Sequence, residues 1–398
     1  MVLFGLSGWL IVHNWQYRTI YYENYSFGTK DAKKFRHFPR ALYHFGLNVW
    51  FQNDSDVAAR FFRQTLVQDH FYMDAWLKLA QAEIVLGNPD KALIILEFSN
   101  RLTKNVYRWK WDQILLAHEL GIEEVVFRNI NFLIHHGKKI QDSFQLLDTH
   151  LSGNTMLAVN VLDKVNLIPF LEWLMGWNRE DDAQIVWSKI ISAGIQDEDV
   201  LMKYIHFLVG RKRVSLAAKI WSSNTGIKGM TNPGFEDQMT GVGFDWRYTE
   251  NNEGKWMIQR SVSEAYSGTY SLKIMFEGKE NVSFDSLSQI VPVDSLIPYR
   301  LSYSWRSKNI TTDQGPFVDI YGYDCIDFYI KGPFMLDTHD WLEQDIEFSV
   351  PEDCHAVVIR LRRLPSHRFD NKISGILWLD DFELEKRKPF TGLNEGKK

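Results

Sequence analysis

Apolar residues recur at the period of a helix from residue 30 to 228 and then change to the period of a strand. Leu201 to Trp221 reads as two amphipathic helices, whereas Ser271 to Phe276 and Pro298 to Trp305 alternate apolar with polar positions. The stretch from Gly229 to Trp246, GMTNPGFEDQMTGVGFDW, separates the two regimes and places a boundary near residue 228. Beyond it the pattern predicts strands at Ser271–Phe276, Ser288–Val293, Tyr299–Trp305, Phe317–Tyr323, Leu342–Ser349, Ala356–Arg362 and Gly375–Leu384. Turn residues such as Asp294, Asp313 to Pro316, Pro351 to Asp353 and Asp370 to Lys372 separate them, and short strands at even spacing predict an all-β sandwich of the jelly-roll kind over 229–386. The tail 387–398 predicts no ordered element.

The helical part repeats itself. Aligning Leu42 with Trp76 also pairs Phe45 with Leu79, Gly46 with Ala80, Ala58 with Ala92 and Phe62 with Leu96. A second pair keeps the same spacing: Phe170, Trp173, Leu174, Gly176, Ala183 and Trp187 recur as Tyr204, Phe207, Leu208, Gly210, Ala217 and Trp221. This resembles the tetratricopeptide repeat, in which a large residue opens the first helix, a small one sits at the crossing and a bulky one closes the packing. In the turn Leu86, Gly87, Asn88, Pro89 the glycine and asparagine suit a helix end and the proline suits the next first turn. Between the pairs, Trp109 to Gly137 and Phe144 to Leu167 read as divergent hairpins, giving about five or six stacked hairpins with a concave groove. The fold class expected is therefore multidomain, an α-helical tetratricopeptide-like solenoid over 30–228 followed by an all-β jelly-roll sandwich.

Composition narrows the function. With 398 residues and 45% hydrophobic positions the chain is long enough for two cores, and a formal charge of −5 gives no ground for nucleic acid or an anionic membrane surface. The two cysteines, Cys325 and Cys354, can pair in an oxidising compartment, but without motif spacing they read first as free buried thiols. Ligand count leaves no zinc site, and His44, His70, His118, His135, His136 and His150 lack metal-ligand spacing. Leu3 to Val12 is an apolar run flanked by Trp9, Trp15, Tyr17, Tyr21 and Tyr22. It is about half the roughly 20 residues a spanning helix needs. Two readings of 1–29 stay open, a first helix of a soluble domain or the end of a membrane anchor.

In the β part, Asn232 to Glu236 (NPGFE), Gly243 to Trp246, Ala265 to Ile274 (AYSGTYSLKI), Ser288 to Val293, Trp341 and Leu379 to Leu384 (LDDFEL) together resemble a carbohydrate-binding module of the family 4/9 type, a galactose-binding-like jelly roll. In that group the opening strand pairs with the final Asp-Asp strand and a structural calcium commonly lies where they meet. The resemblance implies Glu236, Asp380 and Asp381 as calcium ligands, which suits the hard oxygen donors calcium takes. Trp378, Asp380, Phe382 and Leu384 are expected on one face of the last strand, so a buried Asp380 would need a partner.

Alternation selects candidate sugar contacts. If Val357, Ile359 and Leu361 face the core, Arg360 and Arg362 point away; if Val318 and Ile320 are core, Asp319, Tyr321 and Tyr323 lie on the other side. Tyr321, Tyr323, Arg360 and Arg362, with Asp245, Trp246 and Arg247 at an edge, would make a platform for sugar rings and hydroxyl pairs. The competing expectation is that Trp246, Trp305 and Trp378 are core aromatics and that the arginines pair with neighbours such as Asp370. No nucleophile elbow, phosphate loop or dinucleotide fingerprint is present, and no carboxylate pair is marked for glycoside hydrolysis, so catalysis is not expected.

The whole arrangement, including Thr311 to Pro316 and Arg363 to Asp380, resembles bacterial tetratricopeptide proteins of the cell envelope and exopolysaccharide machinery, which usually begin with one membrane-spanning helix. Two functions follow as expectations. One is an inner-membrane-anchored, periplasmic scaffold whose repeat groove docks a protein partner and whose sandwich holds a polysaccharide. The other is a purely structural scaffold with no sugar site.

Overall fold

The computed structural model of the protein describes Val12 and residues 34–249, 254–369 and 371–387. Apart from Val12 and Arg387, the expected anchor segment 1–29 and the tail 387–398 lie outside the described residues. Among the described residues no helix is long and apolar enough to cross a membrane. The chain divides into two compact units, Met1–Gln196 and Asp197–Lys398. The change from helix to strand follows Thr225, but the second unit begins one helical hairpin earlier than the change of period places the boundary.

The first unit contains α1 (Pro39–Trp50), α2 (Ser55–Gln68), α3 (Met73–Val85), α4 (Pro89–Leu102), α5 (Lys110–Glu119), α6 (Glu123–His135), α7 (Ile140–His150), α8 (Thr155–Val161), α9 (Leu167–Gly176) and α10 (Glu180–Ser192). Successive helices pack on one another, as α1 does on α2 and α9 on α10. Of the positions aligned by the first repeat, Leu42, Phe45, Gly46, Ala58, Phe62, Leu79, Ala80, Ala92 and Leu96 are buried and Trp76 is half-buried. Each large apolar side chain fully buried this way contributes about 1.5–3 kcal/mol. At Gly46 an added Cβ would stand 2.5 Å from the Phe62 ring, so the close crossing of α1 and α2 requires glycine. The turn before α4 also forms as its residues dictate: Gly87 is left-handed, its amide and that of Asn88 bond back to Ile84 and Glu83, and Pro89 opens the helix.

The second unit opens with α11 (Glu198–Gly210) and α12 (Val214–Thr225) and continues with ten strands: β1 (Arg247–Tyr248), β2 (Trp256–Ser261), β3 (Ser271–Glu277), β4 (Phe284–Pro292), β5 (Pro298–Ile310), β6 (Phe317–Gly322), β7 (Tyr329–Lys331), β8 (Asp337–Ser349), β9 (Ala356–Arg363) and β10 (Ser374–Lys386). They form two five-stranded sheets, β1-β4-β9-β6-β7 and β2-β3-β10-β5-β8, antiparallel throughout. This is the expected α-helical part followed by a β-sandwich. The alternation pattern did not reveal β1, β2 and β7, all edge strands, where a single neighbour leaves the pattern weak. Leu287, Val318, Ile320, Val357, Ile359 and Leu361 from the first sheet meet Leu272, Ile274, Leu301, Tyr303, Leu377 and Leu379 from the second.

One expectation about the last strand is overturned. The β10–β5 register shifts between Asp380 and Glu383, and Asp381 at the shift has φ +53°. The bulge reverses the alternation, so Leu377, Leu379 and then Phe382 enter the core while Trp378 and Asp380 lie on the outer side. Trp378, expected in the core, is buried beneath the Lys273 and Arg306 cations instead, at 5.9 and 5.6 Å from its ring. Trp246 and Trp305 are core residues.

The cysteines are corrected too. Cys325 and Cys354 form a disulfide rather than two free thiols, with Cα atoms 4.9 Å apart. Neither their separation of 29 residues nor any motif marks them as partners; β6 and β9 are hydrogen-bonded neighbours, and Cys325 follows one while Cys354 precedes the other. Closing that loop stabilises the sandwich by about 3–4 kcal/mol in the chain-entropy account. Thiol titration of purified protein unfolded in guanidinium without reductant is expected to find no free thiol, and the double substitution Cys325→Ser, Cys354→Ser is expected to lower the unfolding free energy by about 3 kcal/mol.

Candidate functional site

Register assembles the candidate platform on the outer face of the β1-β4-β9-β6-β7 sheet. Arg247 stands opposite Ser288, Ser288 opposite Arg360, Arg360 opposite Asp319 and Asp319 opposite Lys331, a single row across all five strands. In the next row Val358 faces Tyr321 and Tyr321 faces Tyr329. Arg362 stands one step the other way, opposite Phe317. Neighbours on one face of an antiparallel sheet have Cβ atoms about 5 Å apart, so these groups act together.

Asp319 is the centre of the cluster and is fully buried, although its side chain leaves the sheet on the face away from the core. A carboxylate without water must be met by donors. Arg360 supplies a two-pronged pair, Nε to Oδ1 at 3.0 Å and Nη2 to Oδ2 at 2.8 Å, and Arg362 Nη1 approaches Oδ2 at 3.5 Å. Burial lowers the Arg360 proton affinity, but the Asp319 hydrogen bonds and charge outweigh it and hold the guanidinium above its ordinary pKa. The same guanidinium lies 4.6 Å from the centre of the Tyr321 ring. Lys331 is drawn aside over Phe317 and Phe334 at 4.5 and 4.1 Å. The open part of the face therefore carries the Tyr321 ring, the half-exposed Tyr329 ring and the Arg362 head, held by a fixed Arg360–Asp319 pair.

The other end of this face is taken. Ile290 and Val358 point away from the core yet are buried, and α12 packs on β4. Tyr323 donates its hydroxyl to the Val209 carbonyl at 3.0 Å, and Lys212 lies 3.6 Å over its ring. Trp221 of α12 packs edge-on against Phe244, and Gly243 leaves space for both Trp221 and Ile205. Tyr323 is thus a docking residue for the α11–α12 hairpin. Arg247 donates to the Gly243 carbonyl at 2.9 Å in the same region.

Asp245 and Trp246 do not reach the platform. Asp245 is buried and accepts from the Thr240 amide and hydroxyl at 2.7 and 2.8 Å and from the Trp246 amide at 2.7 Å. Trp246 is 1% exposed, packs between Phe235 and Phe382, and donates its indole N–H to the Asn232 carbonyl at 3.1 Å. Sequence reasoning also left out Ser288, Tyr329 and Lys331. Alternation names the face a residue takes but not the neighbour it meets, and Tyr329 and Lys331 lie on the unrecognised edge strand β7.

Glu236, Asp380 and Asp381 meet the same loop, residues 264–270. Glu236 Oε1 accepts from the Thr269 and Tyr270 amides at 2.8 and 3.0 Å. Asp380 Oδ2 accepts from Tyr266 and Ser267 at 2.8 and 3.2 Å, and its Oδ1 from the Asp381 amide at 2.7 Å. Asp381 Oδ1 accepts from the Ser267 hydroxyl at 3.3 Å. Burial pushes the Asp380 carboxyl above the usual range against the pull of these amides. A Cβ on Gly268 would stand 2.2 Å from Glu236 Oε1, so only glycine lets the loop close. Among the described residues the group of three metal-type side chains gathered at one point is Asp324, Cys325 and Cys354, whose sulfurs are bonded to each other. The three carboxylates of the 264–270 corner are matched to amide and hydroxyl donors; a calcium ion there would need carbonyl oxygens beside the remaining carboxylate lone pairs.

What these geometries define is a β-sandwich whose outer face gathers Tyr321, Tyr329, Arg360 and Arg362 around the buried Asp319. No protein-family model matches the chain. No curated protein matches it either. Solved structures similar to the chain include carbohydrate-binding modules: TmCBM61 in complex with β-1,4-galactotriose (17% identity, 40% of this chain and 99% of that one, TM-score 0.28), a family 16 module (17%, 39% and 98%, 0.27) and the CBM22-1 xylan-binding domain of Paenibacillus barcinonensis Xyn10C (16%, 39% and 92%, 0.27). At these identities and scores they assign neither a ligand nor a residue role to this chain.

The platform's internal pairing generates a stability order. Asp319→Ala leaves two guanidinium groups without their acceptor and is expected to cost about 3 kcal/mol in denaturant unfolding. Arg362→Ala, which removes a one-third-exposed partner at 3.5 Å, is expected to cost under about 1 kcal/mol.

Proposed function

We propose that the protein is a non-catalytic binding scaffold whose sandwich holds a polysaccharide on the open half of the β1-β4-β9-β6-β7 sheet. The observation that carries this reading is the convergence of Tyr321, Tyr329 and Arg362 around the fixed Arg360–Asp319 pair. Sugar rings present C–H faces that suit the tyrosine rings, and hydroxyl pairs that suit a guanidinium fork. A fixed second guanidinium keeps the ordering cost of the face small. The resemblance of NPGFE, AYSGTYSLKI and LDDFEL to family 4/9 modules supports the same ligand class.

The helical unit, in this proposal, is a tetratricopeptide-like stack that docks a protein partner, and the whole serves exopolysaccharide assembly or export in a bacterial envelope, tethered by a single N-terminal anchor. The Cys325–Cys354 disulfide supports a periplasmic location, because such bonds persist in oxidising compartments. A second reading has its own support. Tyr323 and Arg247 serve the α11–α12 contact, and a scaffold without a sugar site would use the rest of the face for protein as well.

Calorimetric titration of the full chain with bacterial exopolysaccharide fragments separates the two. Binding that weakens about tenfold or more in both Tyr329→Ala and Arg362→Ala, without a fall in melting temperature, is the expected result. Absence of heat from every glycan in a folded sample would leave the protein-only scaffold. The structural calcium that the resemblance implies at Glu236, Asp380 and Asp381 is carried by the proposal as a staple of that corner. Its expected mark is a higher melting temperature in calcium than in EDTA, abolished by Asp381→Asn; equal melting in both would assign the corner to its amide hydrogen bonds alone.

A further inference from the structure

The helical unit brings two histidines together. His118, near the end of α5, and His150, the last residue of α7, are 32 residues apart, and the stacking of successive hairpins sets their Nδ1 atoms 2.9 Å from each other. α5 and α7 are the first helices of neighbouring hairpins, so the pair spans a joint of the stack. The rings meet with centroids 5.0 Å apart and planes inclined by 64°. His150 is held in place: the Phe127 ring of α6 packs edge-on against it at 5.5 Å, and only 13% of its side chain is exposed. His118 is exposed, which leaves the pair open to solvent on one side.

A neutral imidazole carries one N–H, so two Nδ1 atoms at this distance share a single proton. Glu123, at the start of α6, decides which ring gives it. Its Oε1 stands 3.9 Å from His150 Nε2, and no lysine or arginine pairs with this carboxylate among the described residues. The negative charge favours the His150 N–H at Nε2, which leaves His150 Nδ1 as the acceptor and His118 Nδ1 as the donor. Moving the His118 proton to its outer Nε2 turns both facing nitrogens into lone pairs with no net change of charge. A lone pair in front of the ring and a carboxylate behind it is the arrangement of a metal-ligating histidine.

Imidazole nitrogen selects late first-row ions over calcium and magnesium, which take oxygen. The spacing selects further. With metal–nitrogen bonds of about 2.0–2.1 Å, nitrogens 2.9 Å apart subtend about 90° at the ion, the angle between neighbouring ligands in a tetragonal field, whereas a tetrahedral ion would hold them about 3.3 Å apart. Two protein nitrogens leave the other positions to water, so the ion is exchangeable rather than enclosed. We propose that His118 and His150 form a binding site for copper(II) or nickel(II), with Glu123 as the positioning residue of His150, and that the bound ion staples α5 to α7.

The test is titration of the full chain, carrying no histidine tag, with copper(II), followed by calorimetry and electron paramagnetic resonance. It compares wild type, His118→Ala, His150→Ala, Glu123→Gln and the double substitution His135→Ala, His136→Ala. His135 and His136 are neighbouring rings at the end of α6, 5.1 Å apart, and serve as the control for adventitious binding to histidine. The expected result is a strongest site of one ion per chain with the hyperfine pattern of two imidazole nitrogens. Its affinity falls about tenfold or more in His118→Ala and in His150→Ala, falls less in Glu123→Gln, and is unchanged in the control. Copper is expected to raise the melting temperature of wild type and of the control but of neither single-histidine variant, while melting in EDTA shows that both variants remain folded. The same affinity in every variant, or a loss confined to the control, would overturn the site and leave the 2.9 Å pair as a hydrogen bond alone. Binding that depends on one of the two histidines but not the other would overturn the staple between the helices. Failure of wild type to bind copper would overturn both.

Discussion

A carboxylate taken out of water has to be met by donors placed in advance, and that constraint organises the sandwich. Asp380 and Asp319 are both 0% exposed, and both lie on outer faces of their sheets rather than in the core between them. Asp380 meets its need with three backbone amides, two of them from the loop that precedes β3. The bulge at Asp381 turns the strand so that Asp380 can do this while Phe382 enters the core. The Phe382 amide then reaches the Pro233 carbonyl, which ties the opening segment to the closing strand. Asp319 meets the same need with guanidinium groups from the neighbouring strand. One buried charge therefore closes the sandwich, and the other fixes the arginines of its outer face.

The two solutions differ in what they leave available. Backbone amides are consumed by Asp380, while Asp381 and the Tyr266 ring of the same corner stay exposed. Arginine heads are larger than the carboxylate they satisfy. Arg360 makes a two-pronged pair with Asp319, whereas Arg362 approaches one of its oxygens at 3.5 Å and also lies beside Tyr329. The fixed pair thus presents a rigid polar ledge beside Tyr321 and Tyr329. The last helical hairpin shapes the same face from the other side, because its α12 packs on β4 and its Val209 and Lys212 hold Tyr323. The open area is what that hairpin leaves.

The helical unit shows the contrary use of a charge. Lys110 is buried without a carboxylate, where Glu83 in the neighbouring hairpin is buried with Arg63 and Asn88 beside it. Packing explains Glu83 without reference to a ligand. Lys110 has the Phe132 ring beside it instead, 5.6 Å from its Nζ.

The amino-acid sequence by itself determined the succession of helix and strand, the glycine at the α1–α2 crossing, and the faces taken by Val357, Ile359, Leu361, Arg360 and Arg362. Each follows from a period of two or 3.6 residues, or from local turn chemistry, and needs only near neighbours along the chain. It placed Phe382 on the face of Trp378 and Asp380 because a single-residue bulge reverses every face beyond it, and alternation carries no mark of a bulge. It placed Trp246 and Asp245 at a binding edge because a tryptophan in a loop looks alike whether it faces sugar or core. The row from Arg247 to Lys331, the meeting of Arg360 with Asp319, and the bond between Cys325 and Cys354 were decided by tertiary structure alone. All three depend on which strands become neighbours and in what register, and that is settled by the packing of the whole sandwich rather than by any stretch of it.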